Sequence, residues 1–185
     1  MKSQIEEKLT QGISCIKLKI GAIDFEKELG LLRFIRQNFD AKTIEIRVDA
    51  NGAFNSNEAL SKLNQLNEFE LHSIEQPIKA NQIQEMKLLC HQTPFPIALD
   101  EELIGVFETE DKRKLLEEIQ PQYIILKPSL VGGFKGTLEW ISIAESLNIG
   151  WWITSALESN IGLNAITQFT FTLNNPMPQG LGTGG

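Results

Sequence analysis

The sequence is poor in the residues that build zinc sites and disulfides. It holds two cysteines and two histidines in 185 residues, and neither cysteine has a CxxC neighbour. Cys15 and Cys90 lie in apolar or amphipathic segments, so we expect reduced thiols inside a cytoplasmic protein. His72, early in an apolar run, and His91, at the end of a helical pattern, are expected to have structural roles.

The sequence also lacks an excess of basic residues and any long apolar stretch. Its 17 Lys and Arg stand against 24 Asp and Glu, a net charge of −7 that offers no basic surface to nucleic acid. The polar start, residues 1–7, has no apolar core of a signal peptide, and no segment is long enough to span a bilayer. A hydrophobic share of 42% is enough for the core of one domain.

Five charged residues, by contrast, recur at the C-terminal ends of short apolar runs, at intervals of 25 to 30 residues. They are Lys19, Asp49, Glu75, Asp100 and Lys127. The interval matches one strand, its loop and its covering helix, so the five are predicted at equivalent positions of successive βα units. In a parallel sheet the C-terminal strand ends lie on one face, which is where barrel enzymes carry out their chemistry.

Alternation within the runs predicts strands, and helical spacing between them predicts a parallel arrangement. In residues 44–49 every second position is aliphatic while Glu45, Arg47 and Asp49 share the other face. The predicted strands are 15–20, 44–49, 71–75, 97–100, 123–127, 151–154 and a short last one at 180–183. The predicted helices are 5–10, 24–37, 57–67, 81–90, 111–119, 138–147 and 160–171.

The predicted fold class is α/β, a (β/α) TIM-type barrel. A complete eight-unit barrel usually takes about 250 residues, so we expect residues 1–185 to form a partial barrel domain that lacks its first strand and whatever preceded it.

Three of the five charged residues are candidate metal ligands. Adjacent strands lie about 4.8 Å apart, so Asp49, Glu75 and Asp100 on consecutive units are predicted to converge on one cation. Carboxylate oxygens without His or Cys favour Mg²⁺, or Mn²⁺, over zinc. The alternative is three unrelated carboxylates that cap the following helices or face water.

The two lysines flank this predicted site. Lys19 is the candidate general base, because a neighbouring ammonium on Lys17 and a divalent ion would make it give up its proton more readily. Lys127 is the second candidate catalytic group, and Lys17 is expected to tune Lys19 or to touch substrate. The alternative is that these lysines lie on the surface or only neutralise the acidic residues. The hydroxyls and amides of residues 154–159 are candidates for binding a substrate carboxylate, and the glycines of residues 131–133 for close backbone approach.

These motifs resemble the muconate-lactonizing subgroup of the enolase superfamily over essentially all 185 residues. The matching segments are Lys17-Leu18-Lys19, Asp49-Ala50-Asn51, Glu75-Gln76-Pro77, Leu99-Asp100-Glu101 and Lys127-Pro128. Gly132-Gly133, residues 155–159 and residues 180–183 are most similar to the o-succinylbenzoate synthases of that subgroup. No histidine follows the run that ends at Thr154, which disfavours the mandelate racemase subgroup.

The resemblance implies a Mg²⁺-dependent dehydratase of menaquinone biosynthesis, a lyase whose partner is a small-molecule carboxylate substrate. Lys19 would remove an α-proton to form a metal-stabilised enediolate, and syn elimination of water would follow. Lys127 would stabilise the negative charge, Asn51 and Glu101 would support the ligands, and Gly132, Ser155 and Glu158 would help to bind substrate. Two alternatives stay open. One is an N-acylamino acid racemase or dipeptide epimerase with the same site, and the other is an inactive metal-binding barrel fragment.

Overall fold

Helices and strands alternate throughout the part of the chain that the structure, a computed structural model, describes, residues 2–182. The chain divides into two units, Met1–Ile97 and Ala98–Gly185. Each unit has its own parallel strands and covering helices. No helix among the described residues has the length and apolar character to span a membrane.

The first unit contains three parallel strands in sequence order. They are β1 (Cys15–Lys19), β2 (Glu45–Asp49) and β3 (Ser73–Glu75). The helices of this unit are α1 (Lys2–Thr10), α2 (Phe25–Asn38), α3 (Ser56–Leu66) and α4 (Ile83–Gln92). The strand register pairs Lys19 with Asp49 and Asp49 with Glu75. The three charged residues therefore lie side by side at the C-terminal ends of their strands.

Alternation explains why β2 buries both of its faces. Ile46 and Val48 are buried on the aliphatic face, and Arg47 and Asp49 are buried on the polar face. A strand whose polar face is buried needs charged partners on its neighbours, because a lone buried charge is costly.

Helix α2 begins where the sequence predicted, because the side chain of Asp24 caps it by accepting a hydrogen bond from the Lys27 amide at 3.3 Å.

The second unit repeats the same architecture. Its strands are β4 (Ile97–Leu99), which begins at the unit boundary, β5 (Tyr123–Leu126) and β6 (Gly150–Ile153). β5 pairs in parallel with both of the others. Its helices are α5 (Thr109–Ile119), α6 (Gly133–Ser146) and α7 (Asn160–Thr172). Ala98, Ile125 and Trp152 form a buried apolar cluster, one residue from each strand.

Six of the seven predicted strands occur within about two residues of their predicted positions. The prediction of a seventh strand at 180–183 is wrong for residues 180–182, where Gly180 forms only an isolated parallel bridge to Thr154. Thr183 lies outside the residues that the structure describes. A Cβ at Gly180 would lie 2.7 Å from the Thr154 side chain, so close packing there admits only a glycine. Cys15 is partly buried and Cys90 is buried, in agreement with their expected positions inside the protein.

Candidate functional site

The first unit gathers five of the predicted site residues into one polar cluster. Asp49 and Glu75 end β2 and β3, and their side chains are only 1% and 2% exposed. Lys17 and Lys19 both reach this cluster from β1, since residues two apart on a strand share a face. Asn51 follows β2 in the loop before α3.

Lys17 is the cation that bridges the two buried carboxylates. Its Nζ lies 3.0 Å from Asp49 Oδ2 and 2.8 Å from Glu75 Oε2. Burial by itself lowers the pKa of Lys17, but the negative charges of Glu75 and Asp49 outweigh burial and leave that pKa raised. Lys17 therefore remains an ammonium at neutral pH and cannot serve as a base there.

Lys19 has a different environment, although it lies only two residues away. Its side chain is 69% exposed, its Nζ lies 3.5 Å from Asp49 Oδ2, and it donates a hydrogen bond of 2.5 Å to Asn51 Oδ1. Asn51 is held in turn by its own amide, which donates to Asp49 Oδ1 at 3.0 Å, and its φ of +43° is left-handed. Lys19 is thus oriented by an amide oxygen and open to solvent on its other side.

The second unit places Asp100 and Lys127 together as an ion pair. Both residues directly follow their strands, β4 and β5, and the side chain of Asp100 is 2% exposed. The carbonyl of Lys127 accepts hydrogen bonds from the amides of Leu130 and Val131, which closes the turn after β5. Gly132 ends this turn with a left-handed φ of +97°, directly before α6.

Glu158 ties the loop after β6 to the turn after β5. Its Oε1 accepts from the Ser129 hydroxyl at 2.6 Å and its Oε2 from the Ala156 amide at 2.7 Å. Burial raises the pKa of Glu158, but these hydrogen bonds and the charge of Lys127 outweigh burial and leave the pKa lowered. Glu158 is therefore an ionised carboxylate that fixes two neighbouring loops.

The remaining predicted residues have ordinary local roles in the structure. The Ser155 hydroxyl donates to the Gly182 carbonyl at 3.1 Å, so it is already engaged within the chain. Glu101 begins a short 3₁₀ turn, Glu101–Leu103, directly after Asp100. Nδ1 of His72 lies 3.0 Å from the Ser73 hydroxyl, at the start of β3 and away from the C-terminal strand ends.

Carboxylate oxygens are the donors that the two clusters offer to a metal ion. Asp49 and Glu75 share one cation in the first unit, and Asp100 contributes a buried carboxylate in the second. Across residues 2–182, no three His, Cys, Asp or Glu side chains are gathered as a metal centre requires. The convergence of Asp49, Glu75 and Asp100 on a single ion therefore stays a prediction.

One buried acidic residue near this cluster was not predicted as a candidate from the sequence. Glu28 lies on α2, is 4% exposed, and contacts the loop that follows Lys19. A signal was available, because Glu28 falls on the same helical face as Leu32 and Ile35, which the spacing predicts to be buried. A charged residue on an apolar face marks a specific partner.

Comparison with known proteins gives one family and several close relatives. The family described as enolase C-terminal domain-like matches residues 1–183. The chain is 57% identical to an o-succinylbenzoate synthase of Desulfotalea psychrophila over 184 residues, which is 100% of this chain and 50% of that protein. It is 33% identical to an N-succinylamino acid racemase of Thermus thermophilus over 159 residues, 85% of this chain and 40% of the relative.

A solved structure agrees with these relatives. The crystal structure of MenC from Desulfotalea psychrophila LSv54 superposes with a TM-score of 0.94 at 55% identity, covering 99% of this chain and 50% of that one. The chain thus spans about half the length, or less, of the relatives it matches.

Proposed function

The chain belongs to the enolase C-terminal domain-like family, and from this premise we propose that it supplies the barrel residues of an o-succinylbenzoate synthase. Its α/β fold class, an incomplete (β/α) barrel of the enolase superfamily, agrees with the prediction from sequence. The observation that carries the proposal is the likeness to the Desulfotalea synthase along the whole chain. The proposed reaction removes water from a cyclohexadiene carboxylate in menaquinone biosynthesis.

The proposed metal ligands are Asp49, Glu75 and Asp100, with Mg²⁺ as the ion and Mn²⁺ as a substitute. All three are buried carboxyl side chains, and carboxylate oxygens are ligands that suit a hard divalent cation. Buried carboxylates need a compensating positive charge, and Lys17 already provides that charge to Asp49 and Glu75. When bound, Mg²⁺ would stabilise the negative charge that develops on the substrate carboxylate.

Lys19 is the proposed general base. It is the more exposed of the two β1 lysines, and Asn51 holds its Nζ at 2.5 Å. Lys17 is unsuited to this role, because its two ion pairs hold its proton. In its neutral form Lys19 would take the α-proton from the substrate carbon, and the electron pair of that C–H bond would move toward the carboxylate.

Lys127 is the proposed electrostatic partner of the reaction. Its Nζ pairs with Asp100, and the positive charge of a lysine at this position suits the stabilisation of an enolate. Lys19, now protonated, would return the proton to the β-hydroxyl as the C–O bond breaks. Water leaves, the electron pair forms the new ring double bond, and the ring becomes aromatic.

A racemase or epimerase acting on N-acylamino acids or dipeptides is the second candidate. The similarity to the Thermus racemase favours it specifically, because that relative matches 85% of the chain. Such an enzyme would use the same two lysines to remove and return one α-proton. The two candidates differ in whether a C–O bond breaks.

The test is to assay the complete protein that contains this chain, with Mg²⁺, for both reactions. We expect formation of o-succinylbenzoate to exceed deuterium exchange at the α-carbon of N-succinylamino acids. Lys19→Ala should abolish dehydration with folding intact, while Lys42→Ala, at an exposed position, should leave it unchanged. Exchange without dehydration would favour the racemase, and full dehydration by Lys19→Ala would leave only a non-catalytic metal-binding role for this cluster.

We also propose a small-molecule carboxylate as the binding partner, with no nucleic acid or membrane partner. The net charge of −7 supports the first exclusion, since nucleic acid favours basic surfaces. We propose a cytoplasmic location as well, because a sequence with only two cysteines and no CxxC pair is typical of proteins in a reducing compartment.

A further inference from the structure

A buried carboxylate outside the polar cluster holds the loop that follows Lys19. Glu28 is 4% exposed, and its Oε1 accepts hydrogen bonds from three consecutive amides: Gly21 at 2.6 Å, Ala22 at 3.2 Å and Ile23 at 3.3 Å. These amides belong to residues 20–24, which we call the β1–α2 loop. One side-chain oxygen therefore fixes most of the backbone between Lys19 and α2.

The loop packs closely against the segment that follows β2. Gly21 has a φ of +89°, and a Cβ at that position would lie 2.4 Å from Ala53 Cβ, so the backbone approaches Ala53 as closely as only glycine allows. On the strand side, the Ile20 amide donates to the Asp49 carbonyl at 2.8 Å. The backbone around Lys19 is thus locked to the segment that carries Asp49 and Asn51.

The position suits a negative charge rather than only a polar group. Glu28 is the fourth residue of α2, near the positive end of the helix dipole. Hydrogen bonds from amides to a carboxylate are about twice as strong as those between neutral groups. Its second oxygen, Oε2, is buried without a hydrogen-bond partner within residues 2–182, so the three loop amides are the contacts that offset its burial.

We propose that Glu28 is a positioning residue for Lys19, an inference that rests on the proposed role of Lys19 as the base. By fixing the β1–α2 loop against the Asn51 segment, Glu28 sets where Lys19 Nζ meets Asn51 Oδ1 and the substrate carbon. A displacement of about 1 Å at a reacting group can cost up to ~100-fold in rate. The contribution of Glu28 is therefore to kcat rather than to substrate binding.

The test compares Glu28→Ala and Glu28→Gln with Glu26→Ala in the complete protein. Glu26 is the matched control, because it lies in the same first turn of α2 and is exposed. Three readouts are needed: hydrogen–deuterium exchange of residues 20–24 without metal or substrate, the rate at which an anhydride acylates Lys19 at fixed pH, and kcat and KM.

For Glu28→Ala we expect exchange in the β1–α2 loop to rise at least ~10-fold, Lys19 acylation to change, and kcat to fall about 10- to 100-fold with KM within about threefold. Glu28→Gln should change loop exchange and kcat in the same direction but by less, because its neutral carbonyl oxygen accepts hydrogen bonds from the three amides more weakly than a carboxylate does. It also keeps the inference testable if Glu28→Ala fails to fold.

Two results would overturn the inference: unchanged loop exchange in Glu28→Gln and Glu28→Ala, or a looser loop with kcat and Lys19 acylation unaltered. Failure of the proposed function is distinguishable. In that case the unsubstituted protein would show neither dehydration nor α-proton exchange, while substitution of Glu28 would still change loop exchange and the rate of Lys19 acylation.

Discussion

Lys17 Nζ lies 2.8 Å from Glu75 Oε2, although the two residues are 58 positions apart in the chain. This ion pair joins β1 to β3 across β2, because the same ammonium also contacts Asp49. It distinguishes the two lysines of β1: Lys17 compensates buried charge, and Lys19 is the one that we propose as the general base.

Replacing Lys17 with Met should destabilise the protein by about 2 kcal/mol, because two buried carboxylates lose their shared cation. Mg²⁺ should then raise the melting temperature of the variant more than that of the parent, since a divalent ion would supply the missing charge. Thermal unfolding with and without Mg²⁺ measures both effects. Lys42→Met is the exposed control, and an equal response to Mg²⁺ in variant and parent would contradict the prediction.

The lowered pKa of Glu158 predicts a loss of stability in acid. A carboxyl whose pKa is lower in the folded state than its ordinary value of 4.5 contributes stability above that value, and loses the contribution as pH falls through the folded pKa. Melting temperatures between pH 3 and 7 should therefore fall less steeply in Glu158→Gln than in the parent. Glu110→Gln, on the exposed side of α5, should retain the parent's slope.

The thiol of Cys15 should be nearly inert at pH 8. Burial raises its pKa to about 12, the positive charge of Arg47 opposes that rise, and a hydrogen bond to Glu45 adds to it. The thiolate fraction at pH 8 is then roughly a thousandfold below that of an ordinary thiol. In a Cys90→Ala background, iodoacetamide should modify Cys15 slowly in the native protein and rapidly in urea. Native labelling at the rate seen in urea would exclude the burial effect.

Two helical glycines should respond in opposite ways to alanine. A Cβ at Gly136 would lie 2.1 Å from the Val131 carbonyl oxygen, so Gly136→Ala should destabilise by about 2–3 kcal/mol and disturb the turn after Lys127. A Cβ at Gly30, in α2, meets nothing within 4 Å, so Gly30→Ala should stabilise by about 0.5–1 kcal/mol. Urea denaturation of both variants measures the difference, and equal effects would contradict the close approach at Gly136.

The strands and their charged ends could be predicted from local pattern. Lys19, Asp49 and Glu75 each end a strand, and Asp100 and Lys127 each follow one directly, as the runs indicated. Alternation with a period of two and helical spacing are local properties, so they are visible in sequence. The strand predicted at 180–183 was wrong because a short glycine-rich run carries little alternation. The one bridge in this segment depends on contact with the distant Thr154.

The sequence by itself determined the order of helices and strands, the charged residue at each strand end, and the resemblance to one superfamily. It placed Lys17 and Lys19 on one face of β1 without deciding which of them would bind the carboxylates. Tertiary structure decided that, because parallel register sets Lys19 opposite Asp49, and Lys17 reaches both Asp49 and Glu75. Tertiary structure also decided the contacts of Glu28, because the three amides that donate hydrogen bonds to it come together only once the loop has folded against α2. Side-chain direction and loop geometry depend on contacts between distant segments, and no local pattern encodes them.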